Sequence, residues 1–103
     1  MNLVVLTGRL TKECDLTVTQ SGKSVTKLSL AVADSFNKDK VDFINCVAWN
    51  KTAEIMAQYL KKGSKIGVQG KMQTGCYEKE GKKIYTTEIV IDNFEFLDSK
   101  KKD

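Results

Sequence analysis

At 103 residues, with 41% hydrophobic and 29% charged residues, the chain has the make-up of one globular domain, large enough to bury a core without staples. No apolar run approaches the roughly 20 residues that span a bilayer, and the complete absence of histidine removes the commonest general base and argues against a zinc site. The net charge of +4 comes from 17 basic and 13 acidic residues, an excess too small to define a partner by itself.

Taken in order, residues 2–12 alternate as a strand does, with Val4, Leu6 and Leu10 on one face and Leu3, Val5, Thr7 and Arg9 on the other. Gly8 stands where such a strand bends or bulges. The opening run lacks a basic segment and a cleavage site, so it does not read as a signal peptide. Residues 16–19 read as a short continuation, and Gln20-Ser21-Gly22-Lys23 as a turn. A second strand over 25–33 groups Thr26, Leu28, Leu30 and Val32 against Lys27, Ser29 and Ala31. Residues 34–40 form a polar loop with one aromatic, Phe36. That ring either anchors the loop on the core or is displayed as a binding feature.

Residues 41–51, VDFINCVAWNK, carry the oddest pattern in the chain. Val, Ile, Phe and Trp favour a strand. One face is then Ile44, Cys46 and Ala48, wholly apolar and suited to a core. The other is Phe43, Asn45, Val47 and Trp49, where two large rings flank an amide that is costly to bury without a partner. Either both faces are buried and Asn45 is satisfied inside, or this face meets something flat; the strand alone leaves both open.

A helix follows, with Asn50 or Thr52 as its cap, Ile55, Met56, Tyr59 and Leu60 as its apolar face, Lys61 and Lys62 at its negative end and Gly63 as its stop. Residues 65–77 return to strand, placing Lys71, Gln73, Gly75 and Tyr77 on one face and Met72, Thr74 and Cys76 on the other. Glu80-Gly81 supplies a hairpin turn into a long last strand over 84–97. Residues 1–98 thus read as one domain and 99–103 as a frayed tail.

Catalysis finds little support. There is no phosphate-binding glycine loop, no cofactor signature, and the carboxylates Glu78 and Glu80 lie among lysines on a hairpin. Cys14, Cys46 and Cys76 cannot all pair and none sits in a C-x-x-C arrangement, which fits a reducing cytoplasm. Charge is unevenly spread. Between residues 51 and 83 eight lysines face three glutamates, the local excess a phosphate-tracking groove needs, although solubility alone also accounts for such lysines.

Five strands with one helix between the third and fourth is the layout of an OB-fold, an all-β Greek-key barrel that binds oligonucleotides across one face. The residues go further. MNLVVLTGRL, LSLAVA, DFINCVAW, AE at 53–54, YLKKGS, VQGKM and YTTE, in this order and spacing, resemble the bacterial single-stranded DNA-binding protein family over nearly the whole chain. The resemblance implies sequence-independent binding of single-stranded DNA in replication, recombination and repair, without catalysis, by a homotetramer in the cytoplasm at the nucleoid. It implies base stacking on Phe36, Phe43, Trp49 and Tyr77, and phosphate contacts from Arg9, Lys51, Lys62 and, more loosely, Lys71 and Lys79. The chain departs from the family in a short loop at 34–41, in Gln73 and Gly75 where some members place arginines, and in ending on Ser99-Lys100-Lys101-Lys102-Asp103 rather than a linker with an acidic tip. Recruitment of replication proteins through such a tip is therefore not expected. A dimeric primosomal protein of the same fold, a cold-shock-like RNA binder, and an OB domain with no nucleic-acid role are the competing readings.

Overall fold

The structure, a computed structural model, describes residues 1–37 and 39–97. The predicted tail at 99–103 and its lysines lie outside the described residues. Six strands, β1 (Val4–Leu10), β2 (Asp15–Val18), β3 (Ser24–Ala33), β4 (Val41–Trp49), β5 (Lys65–Lys79) and β6 (Lys82–Phe96), surround one helix, α1 (Asn50–Tyr59), between β4 and β5. The strands run β1-β5-β6-β4-β3-β2, and an additional β1–β3 pairing closes the first five into a ring. This is the barrel of an OB-fold.

The expected count of five strands becomes six for a simple reason. β1 and β2 lie end to end along the same edge of β3, with Arg9 and Leu10 opposite Ala31 and Leu30, and Asp15 to Val18 opposite Lys27 to Ser24. Residues 16–19 were expected to continue the first strand; residues 11–14 interrupt it. The strand does not break at Gly8. There β1 passes from β5 to β3, and a Cβ on Gly8 would clash with the Ala31 carbonyl oxygen, so only glycine admits the crossing.

The alternation read from the sequence sets the core. Leu10, Leu28, Leu30, Cys46, Ala48, Ile66, Val68, Ile89 and Ile91 point inward, and Ala53, Met56 and Leu60 of α1 pack against them. The helix begins differently from expectation. Neither Asn50 nor Thr52 caps it by side chain: β4 runs straight into the helix with Trp49 still extended, and Asn50 makes the turn at φ 55°, a left-handed conformation asparagine tolerates. Tyr59 was expected on the buried face but is exposed, edge-on to Phe96 at 6.3 Å between ring centres. Lys61 and Lys62 stand beyond the last turn, because Leu60 is already extended.

β5 and β6 form a hairpin longer than the barrel is tall. β1 covers β5 only from Lys65 to Gly70, and β4 meets β6 at two positions, Cys46↔Ile89 and Val47↔Val90. Residues beyond those points pair only with each other, up to a two-residue turn with Glu80 and Gly81 both at positive φ (52° and 79°), the geometry that matches strand twist.

A candidate nucleic-acid interface

Register and pleat decide which side chains share a face. On β4, Phe43, Asn45, Val47 and Trp49 lie opposite Ala31, Ser29, Lys27 and Val25 of β3, all turned away from the core partners Ile44, Cys46 and Ala48. Val47 lies beside Val90, and Val90 opposite Lys71. The outer row Lys27–Val47–Val90–Lys71 therefore crosses four strands, and along β5 the same face continues through Gln73 and Gly75 to Tyr77 and Lys79. Phe43, Trp49 and Tyr77 are thus brought onto one outward face. They are 66%, 39% and 52% exposed. Phe43 and Trp49, six residues apart on one strand, stand about 20 Å from each other. Val47, expected on this open face, is instead buried, because it sits at the centre of the row with neighbours on both sides.

Phe36 is displayed: its ring is 97% exposed. The loop beneath it is held by its own polar groups. The Phe36 N–H donates to Asp34 Oδ1 (2.9 Å), the Asp39 N–H to Asn37 Oδ1 (3.0 Å), and the Asp34 N–H to the Lys40 carbonyl (3.1 Å). Each of these side chains captures a backbone N–H two residues on, a local turn that shapes the loop without any core contact from the ring.

The expected basic residues are all exposed. Arg9 is outward on β1, opposite Ala31, which is itself opposite Phe43, so a single row joins the guanidinium strand to the aromatic one. Its Nη1 donates to the Gly63 carbonyl at 2.9 Å, and the neighbouring Lys62 N–H donates to Glu13 Oε2 at 3.2 Å, which sets Arg9 and Lys62 on one corner. Lys51 lies in the first turn of α1, next to Trp49; Lys71 and Lys79 are on the outer face of β5. Two features escaped the sequence reading. Tyr85 is exposed on the opposite face of the hairpin from Tyr77, across from Cys76. Lys27 on β3 and Glu88 on β6 approach to 3.9 Å across β4, a pairing visible only once the parallel β4–β6 contact is known.

An OB barrel with aromatic rings and cations on one outer face defines a class of oligonucleotide-binding domains. The model of the single-strand binding protein family matches residues 1–97, and the chain belongs to that family. It is 48% identical over 101 residues to a single-stranded DNA-binding protein of Clostridium perfringens, covering 96% of this chain and 67% of that protein. Against the single-stranded DNA-binding protein of Enterococcus faecalis the identity is 50% over 105 residues, 97% of this chain and 56% of the relative. Single-stranded DNA-binding protein 2 of Listeria monocytogenes is 48% identical over 105 residues, with 97% and 66% covered. The chain thus spans between about half and two thirds of the length of these relatives.

Proposed function

We propose that the chain binds single-stranded DNA without reading a defined sequence, sheathing it during replication, recombination and repair. The observation that carries this is the shared outward face of Phe43, Trp49 and Tyr77, with Phe36 displayed on a loop. Exposed rings on a β-face lose hydrophobic stabilisation when left in water, and stacking on bases recovers it for any base, since every base has a π-face. Arg9, Lys51, Lys62, Lys71 and Lys79 neutralise phosphates along the path. The domain acts without catalysis, in the cytoplasm at the nucleoid. Among the described residues no helix is long and apolar enough to cross a membrane.

Leu3, just before β1, and Val5, outward on it, are both exposed and support self-association along that strand, and a closed homotetramer of D2 symmetry is the assembly proposed. Light scattering at micromolar concentration is expected to return four times the chain mass. Electrophoretic shifts with single-stranded DNA, duplex DNA and RNA of equal length test the binding itself. Single-stranded DNA is expected to bind tightest, with affinity falling by about 0.7 in log–log slope per phosphate contact as salt rises. A flat salt response, or duplex bound as tightly, would overturn the proposal.

A further inference from the structure

Between Phe43 and Trp49 the outer face carries a group out of keeping with a polyanion's path, the carboxylate of Glu88. Its side chain is 32% exposed, and Lys27 Nζ, reaching across β4, lies 3.9 Å from Oε2. Beside it stands Asn45, opposite Ser29, whose amide makes no hydrogen bond to any described residue. With Lys12 and Ser29 these groups line a hollow of about 280 Å³ on the face itself. A floor meant only for phosphates gains nothing from a half-desolvated carboxylate, which repels them. What satisfies such a carboxylate is an N–H donor, and the surface on either side is built for flat rings.

We propose that this hollow is a base-edge subsite favouring cytosine over thymine, an inference that rests on the DNA-binding reading of the same face. A base stacked on Phe43 presents its edge toward Asn45. Cytosine offers an exocyclic amino donor followed by two acceptors, N3 and O2. The amino group donates to Glu88, and the Lys27 ammonium and the Asn45 amide donate to the acceptors. Thymine places the O4 carbonyl where cytosine has its amino group, oxygen against carboxylate. Carboxylates accept from the cytosine amino group in duplex readout by the same logic. Binding remains tolerant overall, because stacking and phosphate contacts are blind to the base.

Equilibrium titration of oligo(dC) and oligo(dT) of equal length, against the wild type, Glu88→Gln and Asn45→Leu, tests the subsite. The dC-to-dT affinity ratio of each variant is compared with that of the wild type, so that differences between the free oligonucleotides cancel. Both variants are expected to lower that ratio by about fivefold or more. If Glu88→Gln strengthens binding to both oligonucleotides by one common factor, the carboxylate merely repels phosphate and the subsite is overturned. An unchanged ratio in both variants, with both oligonucleotides still bound tightly, also sinks the subsite and leaves the DNA-binding face standing. A wild type that binds neither oligonucleotide overturns both.

Discussion

The side chain of Asn2 takes the place of a strand residue against Met72. Its Nδ2 donates to the Met72 carbonyl and its Oδ1 accepts from the Met72 N–H, both at 2.8 Å. Val4 pairs with Gly70 in the β1–β5 ladder, so an extended chain would bring Asn2 opposite Met72 next. The amide makes both of those bonds by itself and extends the ladder past the start of β1. It pins the root of the hairpin, the point where β5 leaves its neighbour.

Asn2→Ala removes both bonds and leaves the barrel untouched. The expected cost is about 1 kcal/mol, since both groups are exposed and water replaces part of what is lost. The sharper expectation is local. Hydrogen exchange at the Met72 amide should accelerate while that of Val68, inside the barrel, keeps its protection. Unchanged exchange at Met72 would mean that the pair carries no stability.

Trp49 is the sole tryptophan, so its emission reports on one place. Single-stranded DNA is expected to quench most of it. Trp49→Ala should weaken binding by about 1–3 kcal/mol. Phe36→Ala should weaken it comparably with no change in melting temperature, because the ring buries nothing. A Trp49→Ala protein that melts early but binds normally while folded would assign the ring to structure instead.

Thr26 is 1% exposed and its Oγ1 has no hydrogen-bond partner of ordinary length. The hydroxyl's one contact of this kind is with the thiol of Cys14, a weak partner: burial first, and the charges of Glu13 and Asp15 with it, hold that thiol above its ordinary range, and the Thr26 hydroxyl pulls only partly the other way. Thr26→Val keeps the shape and removes the stranded hydroxyl, and should raise stability by about 1 kcal/mol in urea melts. A loss of stability would show that the sulfur contact satisfies the hydroxyl after all.

Cys46 gives the domain an alkaline limit. Burial first, and the charge of Glu88 second, push its thiol from the ordinary 9.0 up to about 11. Near pH 9 the unfolded chain begins to release this proton while the folded chain keeps it. The stabilisation is therefore complete below about pH 9 and is lost as pH climbs through about 11, an effect of roughly 2–3 kcal/mol. Cys46→Ala should be less stable at neutral pH yet flatter across that window. A parallel alkaline decline in both proteins would place the loss on other groups.

How far the sequence reached is clearest at β4. Alternation alone separated Ile44, Cys46 and Ala48 from Phe43, Asn45 and Trp49, because a two-residue period is local information. It misplaced Val47, whose burial comes from β3 and β6 closing on both sides, and neighbours across a sheet leave no mark in a single strand. The same limit hid Lys27–Glu88, 61 positions apart and meeting only through a parallel contact two residues long. Tyr59 failed differently. It has helical spacing with Met56, but the helix ends there, so the side chain reaches past the core to Phe96. The four aromatics were legible from the pattern of rings among polar groups and from the family's motifs. That three of them share one face needed the register.

The Asn2–Met72 clasp joins residues 70 positions apart, and it has a bearing on how the protein is made. A ribosome adds about 5–20 residues per second, so β1 is synthesised roughly 4–14 seconds before the residues that complete its long edge. During that interval Leu3 and Val5 have no strand beside them, and only Arg9 and Leu10 can find β3. β1, made early, waits for β5 to cover its long edge, and β4 waits for β6, which is made later still. The nascent chain carries an unpaired hydrophobic strand until synthesis has passed β5, and the barrel closes only once β6 has followed, in one late step rather than strand by strand.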